Sequence, residues 1–255
     1  MQVVGYDVGA KEPQAAALLV AREGTVEREP LPPGRELAYT LGRRRCAGAV
    51  DGDEHLPCER SSAPYCAAHD STWICARCTG TCLKAEMDCH REHAVYLAAF
   101  APSTFKIGVT GREDPRVRLR EQGADRGAIV RRVENGRIAR EIESEIARST
   151  PVPDSVRVPT KIVGIGREID TESWEQLLAD FEVERTFEFG YGLDLESAPL
   201  PETLAAGTVL GTKGRVLLLE RDGEAFAVDM RSLVGYELRN GAASRELQSS
   251  LGSFG

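Results

Sequence analysis

The chain has 255 residues, 42% hydrophobic and 28% charged, enough for one large or roughly two to three small domains with real cores. Its 40 acidic residues outnumber 32 basic ones, and the net charge of −8 argues against a general DNA-coating role, since phosphate binding is driven by cationic surface. A local basic site is still allowed. No run of about 18 apolar residues marks a membrane span, and the start, MQVVGYDVGAKEPQAAALLVA, has no basic region ahead of its short, late apolar run, so a cytoplasmic protein with no membrane partner is expected.

The basic residues are nearly all Arg, the lysines being Lys11, Lys84, Lys106, Lys161 and Lys213 alone. With the acidic excess and frequent Ala, Gly and Val, this is an archaeal-like composition, that of a salt-adapted or GC-rich source. In a salty interior, contacts to nucleic acid would lean on stacking and hydrogen bonds.

Residues 1–45 read as an N-terminal β segment. Val3–Tyr6, Ala15–Val20 and Glu36–Leu41 are short apolar or alternating runs, separated by turn-rich stretches such as Pro30–Gly34. Residues 46–93 are rich in Cys and His and poor in long apolar runs, a unit in which a metal would replace a core. From 94 the pattern changes, and 94–182 read as an α/β domain. Ala94–Phe100 and Thr104–Thr110 are strands joined by a turn at Pro102–Ser103. Asp114–Gln122 is a short helix with Asp114 as N-cap, Pro115 at its first position and Gly123 as its stop. Ala128–Glu134 is a third strand, and Arg137–Arg148 an amphipathic helix with Ile138, Ile142 and Ile146 in step. The order is β-β-α-β-α.

Beyond Pro151, Pro153 and Pro159 the sequence predicts a strand at Lys161–Ile165 and a helix at Thr171–Phe181, with Thr171 as N-cap and Trp174 and Leu178 on one face. Residues 183–255 read as a C-terminal β segment, with strands at Arg185–Tyr191, Thr208–Leu210, Arg215–Glu220, Ala225–Asp229 and Gly235–Leu238 and a hairpin turn at Arg221–Asp222–Gly223. The last dozen residues, rich in Ser and Gly, read as frayed. The expected fold class is α+β. The two terminal β segments pack together as a small barrel or sandwich, with both central units inserted between them.

All seven cysteines lie between positions 46 and 89. An odd number, mixed with His in a chain without a secretion signal, favours metal over disulfides. The candidate ligands are Cys46, Cys58, Cys66, His69, Cys75, Cys78, Cys82, Cys89 and His93, with His90 as a competitor. A structural zinc takes four sulfur or nitrogen ligands in a tetrahedron, so this set fits two zincs with one residue over. Chain order groups Cys46, Cys58, Cys66 and His69 in one site and Cys75, Cys82, Cys89 and His93 in a second. Cys78 replaces one of these or stays free, and interleaved sharing is left open. The competing readings are metal-free thiols, which would scatter along the chain, and a catalytic zinc, which would need an open position and a carboxylate base. His55 and His90 read as plain surface histidines.

Residues 94–150 resemble the GIY-YIG nuclease superfamily. Val95–Tyr96–Leu97 stands where the first motif half would be and Lys106–Ile107–Gly108 where the second would be. Arg118 follows on the short helix, and Glu143 on the amphipathic helix, in the pattern Ala139-x-x-x-Glu143. A wider resemblance covers most of the chain. The Cys-rich segment, HAVYLA, FKIGVT, RLREQGA, Ser173–Trp174 and GTKGRVLLL look like the family called domain of unknown function 2797. That likeness names relatives more firmly than a reaction.

The superfamily resemblance implies metal-assisted phosphodiester hydrolysis of DNA or RNA. Tyr96 would orient or deprotonate the attacking water, Arg118 would stabilise transition-state charge, and Glu143 would hold one Mg²⁺ or Mn²⁺. Lys106, standing where the second Tyr usually does, would be a clamp or a base with a lowered pKa, and Gly108 would allow close packing of strand and helix. Arg112, Arg116 and Arg120, near Arg118 and Arg126, are the candidate nucleic-acid contacts. Besides Lys106, the chain departs from the pattern in lacking the late polar residue, often Asn, near the phosphate.

The plain alternatives make Tyr96 a strand aromatic, Arg118 a surface residue and Glu143 a salt-bridge partner of Arg140 or Arg137. Facing does not choose the carboxylate, since Glu141, Glu143 and Glu145 all lie off the isoleucine stripe. The competing functions are non-catalytic nucleic-acid binding on the same scaffold and a zinc-stapled protein-interaction module. Gln122–Gly123–Ala124 reads as a C-cap. Gly211–Thr212–Lys213–Gly214 lacks P-loop spacing and reads as a turn, with Lys213 a candidate phosphate contact.

Overall fold

The computed structural model describes residues 1–11, 14–70, 74–195 and 197–241. The dozen C-terminal residues read as frayed lie outside the described residues.

The chain begins with β1 (Gln2–Asp7), β2 (Ala17–Arg22), β3 (Thr25–Pro30) and β4 (Glu36–Arg44), then a short hairpin of β5 (Ala49–Asp51) and β6 (Glu54–Leu56). Strand β3 escapes the apolar-run signal because its sequence, TVEREP, is mostly exposed. After a single 3-10 turn at Ile74–Arg77 come β7 (His93–Phe100), β8 (Thr104–Thr110), α1 (Pro115–Gln122), β9 (Arg126–Val133) and α2 (Gly136–Ser149). The Asp114 carboxylate accepts from Arg116 N, and Gly123 closes α1 at φ 71°.

Next are α3 (Val158–Val163) and α4 (Thr171–Leu178), then β10 (Arg185–Glu188), β11 (Leu200–Pro201), β12 (Ala205–Lys213), β13 (Val216–Arg221), β14 (Glu224–Asp229), α5 (Met230–Leu233) and β15 (Tyr236–Asn240). Two expectations need correction. The strand expected at Lys161–Ile165 is helical at α3, where Pro159 sits in the first turn and loses no hydrogen bond. The cap of α4 is Asp170, not Thr171, and its carboxylate accepts from Ser173 N at 3.0 Å and Ser173 Oγ at 2.6 Å.

The strands form two sheets. An eleven-stranded sheet runs β11-β14-β13-β12-β4-β15-β1-β2-β3-β6-β5, so strands from the two ends of the chain share it. It folds over on itself, because Val3, Leu18 and Val20 of β1 and β2 enclose one core with Leu217, Leu219, Phe226 and Val228 of β13 and β14. The hairpin β5–β6, within the Cys-rich stretch, also joins this sheet through Thr25 and Glu54. The second sheet, β10-β9-β7-β8, is antiparallel throughout. Its strand β10 lies beyond position 182 but pairs with β9.

Strands β7 and β13 are near-continuous apolar runs because both of their faces are buried. On β7, Val95, Leu97 and Ala99 meet α2 and Trp174, while Ala94, Tyr96, Ala98 and Phe100 meet Leu119 of α1 and Phe187 of β10. On β13, Leu217 and Leu219 face the large core, while Val216 and Leu218 meet Ile162 of α3 and Ile165 just after it. Burial of each Val, Leu, Ile or Phe among these contributes about 1.5–3 kcal/mol. Lys161 of α3 also covers the Phe100 ring of β7, so α3 joins the two sheets.

The Gly211–Gly214 stretch closes this junction rather than offering a phosphate contact. Gly214, at φ +56°, sits so close to α1 that a Cβ would stand 2.7 Å from Gly123 N. Lys213 Nζ donates to both Asp125 carboxylate oxygens, at 2.6 and 2.7 Å, and Asp125 also accepts from Ala101 N at 2.9 Å. Lys213→Met would leave a mostly buried carboxylate with one backbone donor. It is expected to cost about 3 kcal/mol in urea unfolding, and Asp125→Asn in the same chain should recover part of that loss.

Candidate metal centre and cleft

The first four candidate ligands converge. One donor atom from each of Cys46, Cys58, Cys66 and His69 lies within 4.8 Å of all the others. His69 Nδ1 is 3.3 Å from Cys46 Sγ and 3.4 Å from Cys66 Sγ. Zinc–sulfur bonds of about 2.3 Å place tetrahedral neighbours roughly 3.8 Å apart, so the donor set and its size both fit a structural zinc.

The surroundings favour thiolates. Backbone N–H groups of Gly48 and Cys66 reach Cys46 Sγ at 3.4 and 3.3 Å. Gly48 makes this turn at φ +74°, where a Cβ would meet Leu56 O at 2.1 Å. Burial pushes the Cys66 thiol up, but the N–H groups of Ala68 and His69 and the hydrogen bonds of Cys46 and Cys58 outweigh it and bring it down to about 6. The Arg60 N–H lowers Cys58, yet burial and the neighbouring Cys46 and Cys66 sulfurs leave it raised. The sulfurs thus compete for ionisation, a competition that a cation ends. Gln2 Nε2 donates to Cys46 O and Gly235 O, fixing the centre to β1 and β15. His55, read as a surface histidine, is buried and bonds Ala47 O at 2.8 Å behind it.

The later candidates are arranged differently. Cys75, Cys78, Cys82, Cys89, His90 and His93 line one wall of a cleft of about 880 Å³. The opposite wall comes from β8, α1 and α2. His93 Nδ1 bonds Arg91 O at 2.8 Å, which leaves Nε2 for another partner, and both His93 and Cys89 crowd Gly136 at the start of α2. Among the described residues these donors form no group as compact as the first.

The cleft is cationic in an acidic protein. Lys84, Arg91, Arg112, Arg118, Arg137 and Arg140 line it against Asp88 and Glu121. Of the arginines singled out on and beside α1, Arg112 and Arg118 line the cleft and both pair with Glu121. Arg116 is exposed outside it, and Arg120 lines a separate cavity with Tyr191 and Thr212. A helix turns its residues by about 100° each, so one basic stretch feeds several directions.

Beneath the cleft, Tyr96, Lys106, Arg118 and Glu143 come together from β7, β8, α1 and α2. Tyr96 is 1% exposed, and its ring lies on Gly108, the residue opposite it in the β7–β8 ladder. A Cβ at Gly108 would stand 2.5 Å from Tyr96 Cζ, so this glycine makes room for the tyrosine rather than for a helix. Burial pushes the Tyr96 phenol up, and its hydrogen bond with Arg118 pulls the other way. Glu143 is 6% exposed and so shares the buried stripe of Ala139, whereas Glu141 and Glu145 are exposed. Facing therefore does select the carboxylate. Arg140 holds Glu143 at 2.6 Å, while Arg137 pairs with Glu141.

Burial raises the Glu143 carboxyl despite Arg140 and Lys106, and Asp154 adds to the rise. Lys106 is lowered to about 8 by burial, against the pull of Glu143 and Asp154. Asp154, exposed in the proline-rich stretch before α3, adds its charge to this group with no sequence motif to announce it.

Two outcomes follow. Replacing Cys66 with Ser is expected to remove zinc from the purified chain, by elemental analysis, and to cost several kcal/mol of stability; a strong chelator should do the same to the unaltered protein. Below about pH 8 Lys106 is protonated in the folded and unfolded chain alike, and its burial penalty is felt in full. Between about 8 and the ordinary 10.5 the folded chain sheds a proton that the unfolded chain keeps, so stability rises with pH. Lys106→Met should remove about 3 kcal/mol of that rise, read from urea melts of both proteins at either end of the window.

Among the described residues no helix is long and apolar enough to cross a membrane. No curated protein and no solved structure matches the chain. Residues 36–238, most of the 255, match the family described as protein of unknown function (DUF2797), a stretch that holds the Cys₃His centre, the cleft and both sheets' shared junction, and the chain belongs to that family.

Proposed function

We propose that the protein acts on nucleic acid, holding a phosphodiester in the cationic cleft, and that Tyr96, Lys106, Arg118 and Glu143 form a hydrolytic centre of GIY-YIG type. The observation that carries this reading is the meeting of a phenol, an amine, a guanidinium and a carboxylate from four separate elements at the floor of a basic cleft in an acidic chain. The β-β-α-β-α order of residues 93–149 supports it.

In this reading Arg118 pairs with the phosphate oxygens, a geometry suited to its planar fork, and stabilises the charge that builds there. Tyr96 orients Arg118 from below, since a phenol raised by burial is a hydrogen-bonding group and not a base. Lys106, at about 8, is the group that can take a proton near neutral pH. Water oxygen bonds to phosphorus, its proton passes to Lys106 Nζ, and the bond to the leaving oxygen breaks. Glu143 offers hard oxygen donors, and a divalent cation would replace Arg140 as their partner. Bound there, Mg²⁺ or Mn²⁺ would neutralise charge on the phosphoryl and leaving oxygens.

The Cys₃His centre serves as a structural zinc site. A second zinc, held by Cys75, Cys82, Cys89 and His93 with Cys78 as the reserve ligand, would brace the wall that faces the catalytic group. The free Nε2 of His93 and its closeness to Cys89 support it.

A second reading has its own support. Arg140 pairs with Glu143 at 2.6 Å, an arrangement that suits a recognition protein built on a retired centre. The test is cleavage and binding of structured RNA and of single-stranded and branched DNA, with Mg²⁺ or Mn²⁺, at low and molar salt. Cleavage should fall about 10²-fold or more in Arg118→Ala, and Glu143→Ala should abolish it while leaving binding intact. Binding without cleavage would favour the recognition reading, and no binding at all would overturn both.

A further inference from the structure

Lys161 is set apart from the other cations of this region by what it lacks. Its Nζ lies 4.1 Å from the centroid of the Phe100 ring and donates to Gln122 O at 2.7 Å, which uses one of its three N–H groups. Lys213 has Asp125, Arg215 has Asp229 at 2.8 Å, Arg118 has Glu121, and Lys106 lies near Glu143 and Asp154. The charges that bear most strongly on Lys161 are Lys106, Arg215, Arg118 and Lys213, all of them positive. Arg215 adds a second imbalance, since its Nε is buried without a hydrogen-bond partner. An unmatched buried donor is costly, and so is a partly buried ammonium whose strongest charged influences are all positive.

The sheet register arranges these groups in a row. Tyr96, Ala98 and Phe100 share one face of β7; Gly108 stands opposite Tyr96 and Lys106 opposite Ala98. Arg118 bonds Tyr96 at one end, Lys161 covers Phe100 at the other, and Lys106 lies between. At about 3.3 Å per residue the ends are roughly 13 Å apart. Arg118 also lines the cleft, so the row leads out of it.

We propose that Lys161, with Lys106 and Arg215, forms a second phosphate-binding site, one that continues the track begun at Arg118. An anion there would satisfy the spare donors of Lys161 and relieve the repulsion among the cations. The shared chemistry is a phosphate group, supplied by the strand held in the cleft or by free phosphate. The strand assignment rests on the proposed function; the site itself does not. Burial and the surrounding cations bring Lys161 down to about 7, so without an anion its amine is nucleophilic near neutral pH.

The experiment uses the full zinc-loaded chain. An amine-acylating reagent is applied near neutral pH in phosphate-free buffer, and labelling of Lys11, Lys84, Lys106, Lys161 and Lys213 is mapped by peptide mass. Lys161 should label ahead of Lys11 and Lys84. Millimolar inorganic phosphate should slow it about tenfold, as a pKa rise of one unit would, while chloride at equal ionic strength leaves it unchanged. In the second arm, Lys161→Met should weaken binding of a single-stranded oligonucleotide and reduce its salt slope by about one, and Lys161→Arg should restore both.

Equal labelling with phosphate and with chloride would overturn the site. Phosphate protection together with unaltered oligonucleotide binding by Lys161→Met would keep the site and assign it to free phosphate. If the unaltered protein binds no oligonucleotide while phosphate still protects Lys161, the proposed function fails and the phosphate site stands.

Discussion

Strand β7 is buried on both faces, and much of the molecule answers to that constraint. A strand so placed can carry almost nothing but apolar side chains, and its one hydroxyl, on Tyr96, must be matched from within. Arg118 supplies the match, which fixes how α1 lies on the sheet. Gly108 supplies the space, which fixes the register of β8. Lys106 is brought in by that register, because it stands opposite Ala98, the small residue next on the same face. A requirement of folding, a satisfied buried phenol, thereby assembles an amine and a guanidinium at one place.

Charge is the second organising term. The chain is acidic, and its cations are mostly spent: Lys213 on Asp125, Arg215 on Asp229, Arg132 on Glu92 and Glu184. The exposed pairs of Arg132 add little stability and the buried pair of Lys213 adds more, but all of them quench long-range positive field. Among the residues lining the cleft, by contrast, cations outnumber carboxylates. Electrostatic attraction of a polyanion would be local to that face, repelled elsewhere by the acidic surface, and a polyanion would approach in a restricted orientation.

The sequence made some of this legible and hid the rest for physical reasons. The central β-β-α-β-α order was readable because each element carries its own signal, from the doubly buried runs of β7 and β8 to the Asp114 and Gly123 caps of α1. The first ligand set was readable because soft ligands at short spacing have few other uses. Strand β3 was hidden because a strand near the edge of a sheet need not be apolar, and α3 because six residues with a proline look as much like a strand as a helix. The isoleucine stripe of α2 misled about Glu143. The side of the helix that is most buried carries Gly136, Ala139 and Glu143, small residues plus one carboxylate held by Arg140, and hydrophobicity alone does not mark such a face. Asp154 and Lys161 depend wholly on tertiary placement, since neither belongs to a motif and each gains its meaning from groups far away in the chain.

The wall of the cleft that carries Cys75 to His93 poses the sharpest energetic question. Its apolar side chains are few, and Ile74 and Leu83 are 43% and 53% exposed, so burial does not hold it against the sheet. Regular structure is reduced to one 3-10 turn among the described residues. A segment with so little core stays ordered only if something offsets the roughly 1–2 kcal/mol of backbone entropy lost per fixed residue. The thiols and imidazoles that line it are the groups available for that, and metal–ligand bonds are strong enough to replace a core. The cleft's shape would then depend on metal in a way that the two sheets, each with its own apolar core, do not. Were metal bound at this wall, its loss would open the cleft while leaving β7, buried between its own apolar clusters, standing.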